Sequence, residues 1–564
     1  MSDVVAGRAG ELPWPGVIGL CLSGGGYRAT VFHLGVLSYL ERIDRLHNVQ
    51  MVSAVSGATF TICSYALSLV EDKPYNDFFR DFYTTLEELN LADVALDELA
   101  DIDTQRPSGR ENLILAMSDV YARKFYSDPS GQPYRFSAIL ERDMHMKELV
   151  LNALDFRRAE SFLFQRSEAS DIPVGNRSLP VRGADAGAIR VADIVATCTS
   201  IPAAFEPLEF PDDFEWPDGK VPPATRELFS DGEGNPRPVP LMDGGLHDNQ
   251  GIDSLLLADE RHPEDLDLFV LSDVFREPEE HYRMPEKRGL GGPSLGTLAT
   301  LAWLMFFACA ITGTAIAVQA VHLAAAGEYE LVWHSIIYIG PLIMNVVVMV
   351  LLWWIRATMV NVLLPRVPQI GVRSDKYIRR MKLQQVVEMV DIRLVTLVAT
   401  STTIVWKRVR NLGYRLIYGN PAYEGKRVSC LLQHLRPGEP VIDLPGLPPP
   451  SPRLRAVAEV AGNMPTILWF DNAYQLPCVL ATGEASACYN LMKHIARRHG
   501  DDPASYPDEV RALWDQLARD WQLLCDEPYA LIRERAPDLE LAEIPEDRGS
   551  KGSPTASAGE SDAA

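Results

Sequence analysis

Met51-Val52-Ser53-Ala54-Val55-Ser56-Gly57-Ala58-Thr59-Phe60-Thr61 joins an apolar, strand-like run to a helix-compatible run, Ala58 to Val70, through a single Ser-Gly pair. Strand, sharp turn carrying a serine, then helix is the context of a nucleophile elbow. A serine on such a turn stands clear of its own backbone. The helix behind it directs free N–H groups and a partly positive end at the same spot. Alanine occupies both outer positions of the G-x-S-x-G pattern, at Ala54 and Ala58. Its Cβ resists positive φ, so the motif by itself is a weak signal.

Upstream, the apolar residues Val17 to Leu22 suit a short buried strand and run into Ser23-Gly24-Gly25-Gly26-Tyr27-Arg28-Ala29. A helical pattern follows from Thr30 to Leu40. Three glycines between strand and helix bring backbone close to something, with N–H groups turned outward. Such a turn can cradle a phosphate, form an oxyanion hole, or simply be tight. No Gly-Lys-Ser/Thr follows, and the dinucleotide spacing fails at Ala29. A second strand-turn-helix follows directly, so an oxyanion hole fits better, and the pair of units suggests the start of a doubly wound α/β sheet.

Downstream, Glu71 to about Ser170 reads as mostly polar and helical. A helix over Ile189 to Phe205 ends at Ser200-Ile201-Pro202, where proline stops it. A loop rich in Pro, Asp and Gly, Pro211 to Pro238, closes on Val239-Pro240-Leu241-Met242-Asp243-Gly244-Gly245-Leu246-His247-Asp248. An aspartate at a strand end before two glycines is a carboxylate on an open turn. Asp248, Asp253 and Asp273 are rival carboxylates, and His247 and His33 read as structural. Leu266 to Leu271 reads as the next strand.

Lys+Arg 53 against Asp+Glu 76 gives a net charge of -23, without a basic run. Phosphate binding needs clustered Lys and Arg, so nucleic acid is not an expected partner. The eight cysteines form no C-x-x-C pair or zinc spacing and read as reduced, buried thiols of a cytosol-facing protein. Neither a metal nor an organic cofactor is expected. The N-terminus lacks the pattern of a signal peptide.

Gly289 to Gly327 and Leu331 to Ile355 contain no Asp, Glu, Lys or Arg. Each exceeds the ~20 apolar residues that span a bilayer. Two spans joined by an acidic hairpin at Glu328 and Glu330 are expected. Arg283, Lys287 and Arg288 on one flank, and Arg356, Arg366 and Arg373 on the other, put both flanks in the cytoplasm by the positive-inside rule. Beyond Pro368, Tyr377 to Val409 is helical in pattern, and Leu412 to Tyr418 and Val428 to Leu432 read as strands. Leu444 to Pro452 is a stiff loop, and the end of the chain reads as a disordered tail.

Taken together, Ser23-Gly24-Gly25-Gly26-Tyr27-Arg28-Ala29, Ser53-Ala54-Val55-Ser56-Gly57 and Asp243-Gly244-Gly245 resemble, in order, the three signatures of the patatin-like phospholipase family. Ser200-Ile201-Pro202-Ala203-Ala204-Phe205 is similar to a softer fourth. The resemblance covers roughly residues 15 to 275. It implies a three-layer α/β/α hydrolase fold, here with a two-helix transmembrane insertion, and a Ser-Asp dyad that cleaves lipid acyl esters. Ser56 would be nucleophile and Asp243 base. Gly24, Gly25 and Gly26 would hold the oxyanion, and Arg28 falls where the family's loop carries a basic residue, to orient the loop or a lipid phosphate. The expected divisions are a catalytic core over 1–288, a transmembrane hairpin over 289–356, further globular chain over 357–543 and a tail over 544–564. A membrane lipid is the expected substrate.

Overall fold

The computed structural model describes residues 14–100, 106–202, 204–262, 266–275, 292–327, 382–400 and 404–545, with scattered positions between 343 and 380. The chain divides into two units. Met1–Pro278 and Val405–Ala564 make one, and Glu279–Ile404 makes the other. The first unit is therefore interrupted by the second.

Among the described residues the first unit holds ten strands: β1 (Ile18–Leu22), β2 (Val49–Val55), β3 (Glu148–Asp155), β4 (Glu160–Arg166), β5 (Val174–Gly175), β6 (Pro180–Val181), β7 (Leu208–Phe210), β8 (Val239–Asp243), β9 (Leu268–Asp273) and β10 (Arg427–Leu431). They lie in the order β10-β9-β1-β2-β3-β4-β5-β6, with β8 on β3 and β7 on β8. From β10 to β3 neighbouring strands are parallel; from β3 onward they are antiparallel. Every residue of β1, β3 and β9 is buried, as a parallel sheet covered on both faces requires.

The helices of the first unit include α1 (Gly26–Arg42), α2 (Ala58–Val70), α3 (Val191–Thr199), α4 (Gly245–Asp248), α5 (Ile252–Arg261), α7 (Val405–Tyr418), α8 (Pro452–Asn463) and α9 (Gln475–His499), and the second unit holds α6 (Leu295–Ala325). The strand period of two sorts the sheet's side chains into two cores. Ile18, Leu20, Leu22, Val52, Ala54, Leu268 and Val270 face the larger core with α1, α2 and α9. Val17, Cys21, Met51, Phe269 and Leu271 face a smaller one with Ile252 and Leu255 of α5 and Ile417 of α7. Each Val, Leu, Ile, Met or Phe among them contributes about 1.5–3 kcal/mol when fully buried. A mixed sheet with helical layers on both faces results. At the crossing of α1 and α9 the backbones touch, so a Cβ on Gly35 would stand 2.3 Å from the Leu480 carbonyl oxygen.

Two expectations change. The stretch read as helical to about Ser170 contains the β3–β4 hairpin, whose ladder pairs Leu149 with Arg166 through Asp155 with Glu160. Leu412–Tyr418 is not a strand but the end of α7, because its buried positions Arg410, Gly413 and Ile417 recur at helical spacing. In the interrupting unit, the described residues include one helix, Gly296–Ala325 (30 residues), long and apolar enough to cross a membrane. Its N-terminus is capped by Ser294, whose hydroxyl accepts the Thr297 N–H at 3.0 Å. The second apolar run, Leu331 to Ile355, falls largely outside the described residues, and so does most of the terminal tail.

Candidate active site

Sheet register brings the site together. β2 runs along one edge of β3 until Val55 stands opposite Asn152. β4 occupies the other edge. The next positions on the first edge are filled by β8, which runs the opposite way and ends with Asp243 opposite Ala153. Two strands thus meet head to head, one ending at Ser56 and the other at Asp243. Asn152 locks the junction: its side-chain amide donates to Ser53 Oγ and to the Ala54 carbonyl, both at 2.9 Å.

Ser56 has φ +53°, the left-handed region that non-glycine residues rarely occupy. A residue held there stores about 1–3 kcal/mol of strain, tolerated only where the surroundings over-determine it. Gly57 shows how tightly the turn is held, since a Cβ there would stand 2.1 Å from the Gly26 carbonyl oxygen. The Ser56 carbonyl accepts the Thr59 N–H at 2.9 Å and so starts α2. The outer alanines do not prevent the elbow. The residue with positive φ is the serine itself, and Ala54 and Ala58 are fully buried in strand and helix.

The Ser56 hydroxyl lies within hydrogen-bonding reach of the Asp243 carboxylate. Asp243 also accepts the Gly245 N–H at 2.7 Å. Burial dominates and pushes its carboxyl up to about 7, against the lowering effect of the Ser56 and Gly245 hydrogen bonds. Two of the three rival carboxylates are engaged elsewhere. Asp248 accepts the backbone N–H groups of Gln250 and Asp253. Asp273 is buried against Arg410. His247 faces Ser161, at 3.3 Å. His33 lies beneath the glycine turn, with its ring nitrogens 2.8 Å from Ser272 Oγ and from the Ser23 carbonyl oxygen. Burial lowers its pKa to about 4, so it is a neutral brace.

The glycine turn is packed directly on the serine. A Cβ on Gly24 would come within 2.8 Å of Ser56 Cβ and 2.6 Å of Asn249 Oδ1. The Gly24 N–H donates to the Asn249 carbonyl at 2.9 Å, so that amide is already spent. The amides of Gly25 and Gly26 have no partner among the described residues. Gly24→Ala is expected to displace Ser56 and lower turnover by about 10²-fold, the cost of misplacing a reacting group by about 1 Å. Comparing kcat with thermal stability checks this, since the fold should survive the change.

One participant carries no motif. The loop after α8 crosses the glycine turn: the Tyr27 N–H donates to the Ile467 carbonyl at 2.9 Å, and the Phe470 ring lies 5.3 Å from that of Tyr27. Arg28 is buried and donates to the Met464 carbonyl at 2.5 Å and to Thr466 Oγ1 at 3.1 Å. Its guanidinium braces this loop. Among the described residues no group of His, Cys, Asp and Glu could hold a metal ion.

Residues 20–256 match the family model described as patatin-like phospholipase. No curated protein matches the chain. Among solved structures, human GIVD cytosolic phospholipase A2 is similar over 47% of this chain and 43% of its own, at 16% identity and a TM-score of 0.31. The same enzyme in complex with methyl gamma-linolenyl fluorophosphonate and terbium chloride is similar over 34% and 30%, at 18% identity and a TM-score of 0.24. The chain thus spans less than half the length of these solved chains, at scores too low to bear on its chemistry. The family match begins within β1 and ends within α5, and so takes in the glycine turn, the serine elbow and the Asp243 turn: over residues 20–256 the chain is similar to the patatin-like phospholipase family.

Proposed function

We propose that the protein is a membrane-anchored lipid acyl hydrolase working through Ser56 and Asp243. The observation that carries this reading is a serine held at φ +53° beside a buried carboxylate whose pKa is about 7. Strain of that kind is not needed for an ordinary strand-to-helix turn. A carboxylate near neutrality is poised to take a proton at physiological pH.

Asp243 takes the Ser56 proton as Oγ attacks the ester carbonyl carbon. The carbonyl oxygen becomes an oxyanion facing the Gly25 and Gly26 amides, each such donor being worth about 2.7–4 kcal/mol in a serine protease. The ester C–O bond breaks, and the proton on Asp243 passes to the departing alkoxide, which leaves as an alcohol or lysolipid. Water then attacks the Ser56 acyl ester, losing its proton to Asp243; the bond between Ser56 Oγ and the acyl carbon breaks, that proton returns to Oγ, and free fatty acid departs. The apolar runs 289–327 and 331–355 would span the bilayer as a hairpin with both flanks cytoplasmic, so the enzyme meets its substrate without a separate adsorption step.

The rival is a silent binding or scaffolding protein on the same fold. Release of fatty acid from phospholipid vesicles by the purified full chain, lost in Ser56→Ala, separates the two. No release from any diacyl or monoacyl phospholipid by folded protein would favour the rival.

A further inference from the structure

α7 opens the chain's return from the apolar unit, at Val405, and its three faces differ. Arg410, Gly413 and Ile417 form the buried stripe. Val405, Val409, Leu412 and Leu416 fall on one line at spacings of four, three and four residues. Val405 is 41% exposed, Leu412 44% and Leu416 47%. Beside that line, on the side away from the buried stripe, stand Arg408 and Arg415, both exposed. No Asp or Glu occurs between Val405 and Tyr418, in a chain of net charge -23.

Exposed leucines next to arginines are costly in water and favourable at the boundary between headgroups and acyl chains. The cations select the sign of the surface, at about 1 kcal/mol for each Lys or Arg held near anionic lipid. Covalent continuity gives the surface a reason to be there, because α7 begins at the first residue after the unit that carries the apolar helix α6. α7 also packs against α4, the turn that follows Asp243, with Gly413 lying against the Gln250 side chain.

We infer that the Val405/Leu412/Leu416 face of α7, with Arg408 and Arg415, is an interfacial surface that seats the first unit on an anionic lipid bilayer. This rests on the membrane-anchored reading but not on hydrolysis. Two charge contacts at about 1 kcal/mol each correspond to about 30-fold in engagement.

The test uses the full chain with Cys309→Ser, the other seven cysteines being buried. An environment-sensitive fluorophore is placed at Leu412→Cys, with exposed Ser130→Cys as control, and the protein is reconstituted in nanodiscs of phosphatidylcholine with or without phosphatidylglycerol. The expected result is a blue shift and quenching by lipid-borne nitroxide at position 412 in the anionic discs, absent at position 130. Arg408→Gln/Arg415→Gln should reduce engagement about 30-fold. Water-like emission at position 412 in anionic discs overturns the inference. So does shielding that is equal in detergent and in both lipids, the signature of a protein partner or a second copy. Fluorophosphonate labelling of the same sample reports separately: its loss with the shift intact counts against the hydrolase and leaves the lipid surface standing.

Discussion

Asp243→Asn should lower acyl hydrolysis by about 10²–10⁴-fold, the usual contribution of a positioned base, while making the protein more stable at pH 8. The two effects share one cause. The carboxyl is raised from 3.8 to about 7 by burial, so the folded state holds its proton more tightly than the unfolded chain does. Its favourable contribution is full below pH 3.8 and is lost as pH rises through about 7. Some three pKa units at 1.36 kcal/mol each make the cost of the ionised form about 4 kcal/mol. Asparagine keeps an oxygen for the Gly245 N–H and removes the charge. For the wild type, kcat/KM should rise with pH through an acid limb near 7, since only the ionised carboxylate can take the serine's proton. Thermal melts at pH 5 and pH 8, beside a pH–rate profile, check both halves. Stability unchanged at pH 8 would mean that Asp243 does not titrate as the geometry implies.

The largest structural effect is expected at Arg410. Its Nε donates to Asp273 Oδ2 at 2.8 Å, and the Asp273 side chain has no exposure. Tyr414 and Gln250 donate to the same oxygen, at 3.1 and 3.2 Å. Arg410 holds the Asp273 carboxyl below its ordinary value despite burial. Arg410→Ala leaves that charge buried without its cation and should cost about 3–5 kcal/mol, whereas replacing both partners by apolar residues of similar volume should cost far less. Denaturant midpoints of the single and double variants measure the difference. Gln250 adjoins Asn249, whose carbonyl holds the Gly24 amide. Loss of Arg410 is therefore expected to slow turnover as well.

Turn chemistry was the legible part of this chain. The three glycines, the Ser-Gly pair and the Asp-Gly-Gly turn each act within a few residues, so their sequence carries their geometry, and β1, β2, α2 and β10 fall close to the ranges their patterns suggest. The β3–β4 hairpin was hidden because Glu148–Asp155 is buried on both faces and lacks the alternation of a half-exposed strand. That omission mattered, since β3 is the strand along which Ser56 and Asp243 meet. In α7 the apolar residues are split between a buried and an exposed stripe, which reads locally as a strand. The Met464–Phe470 loop could not be found by motif at all: it meets the glycine turn across more than 400 residues of chain and gives mainly backbone carbonyls, whatever its side chains. For Arg28 the sequence leaves loop orientation and a lipid phosphate open, since its partners Met464 and Thr466 are distant in sequence.

The most direct measurement is intact and peptide mass analysis of the solubilised full chain after reaction with a fluorophosphonate. One adduct is expected, on Ser56, absent from Ser56→Ala and formed more slowly by Asp243→Asn. An adduct elsewhere, or equal labelling of folded Ser56→Ala, would contradict it.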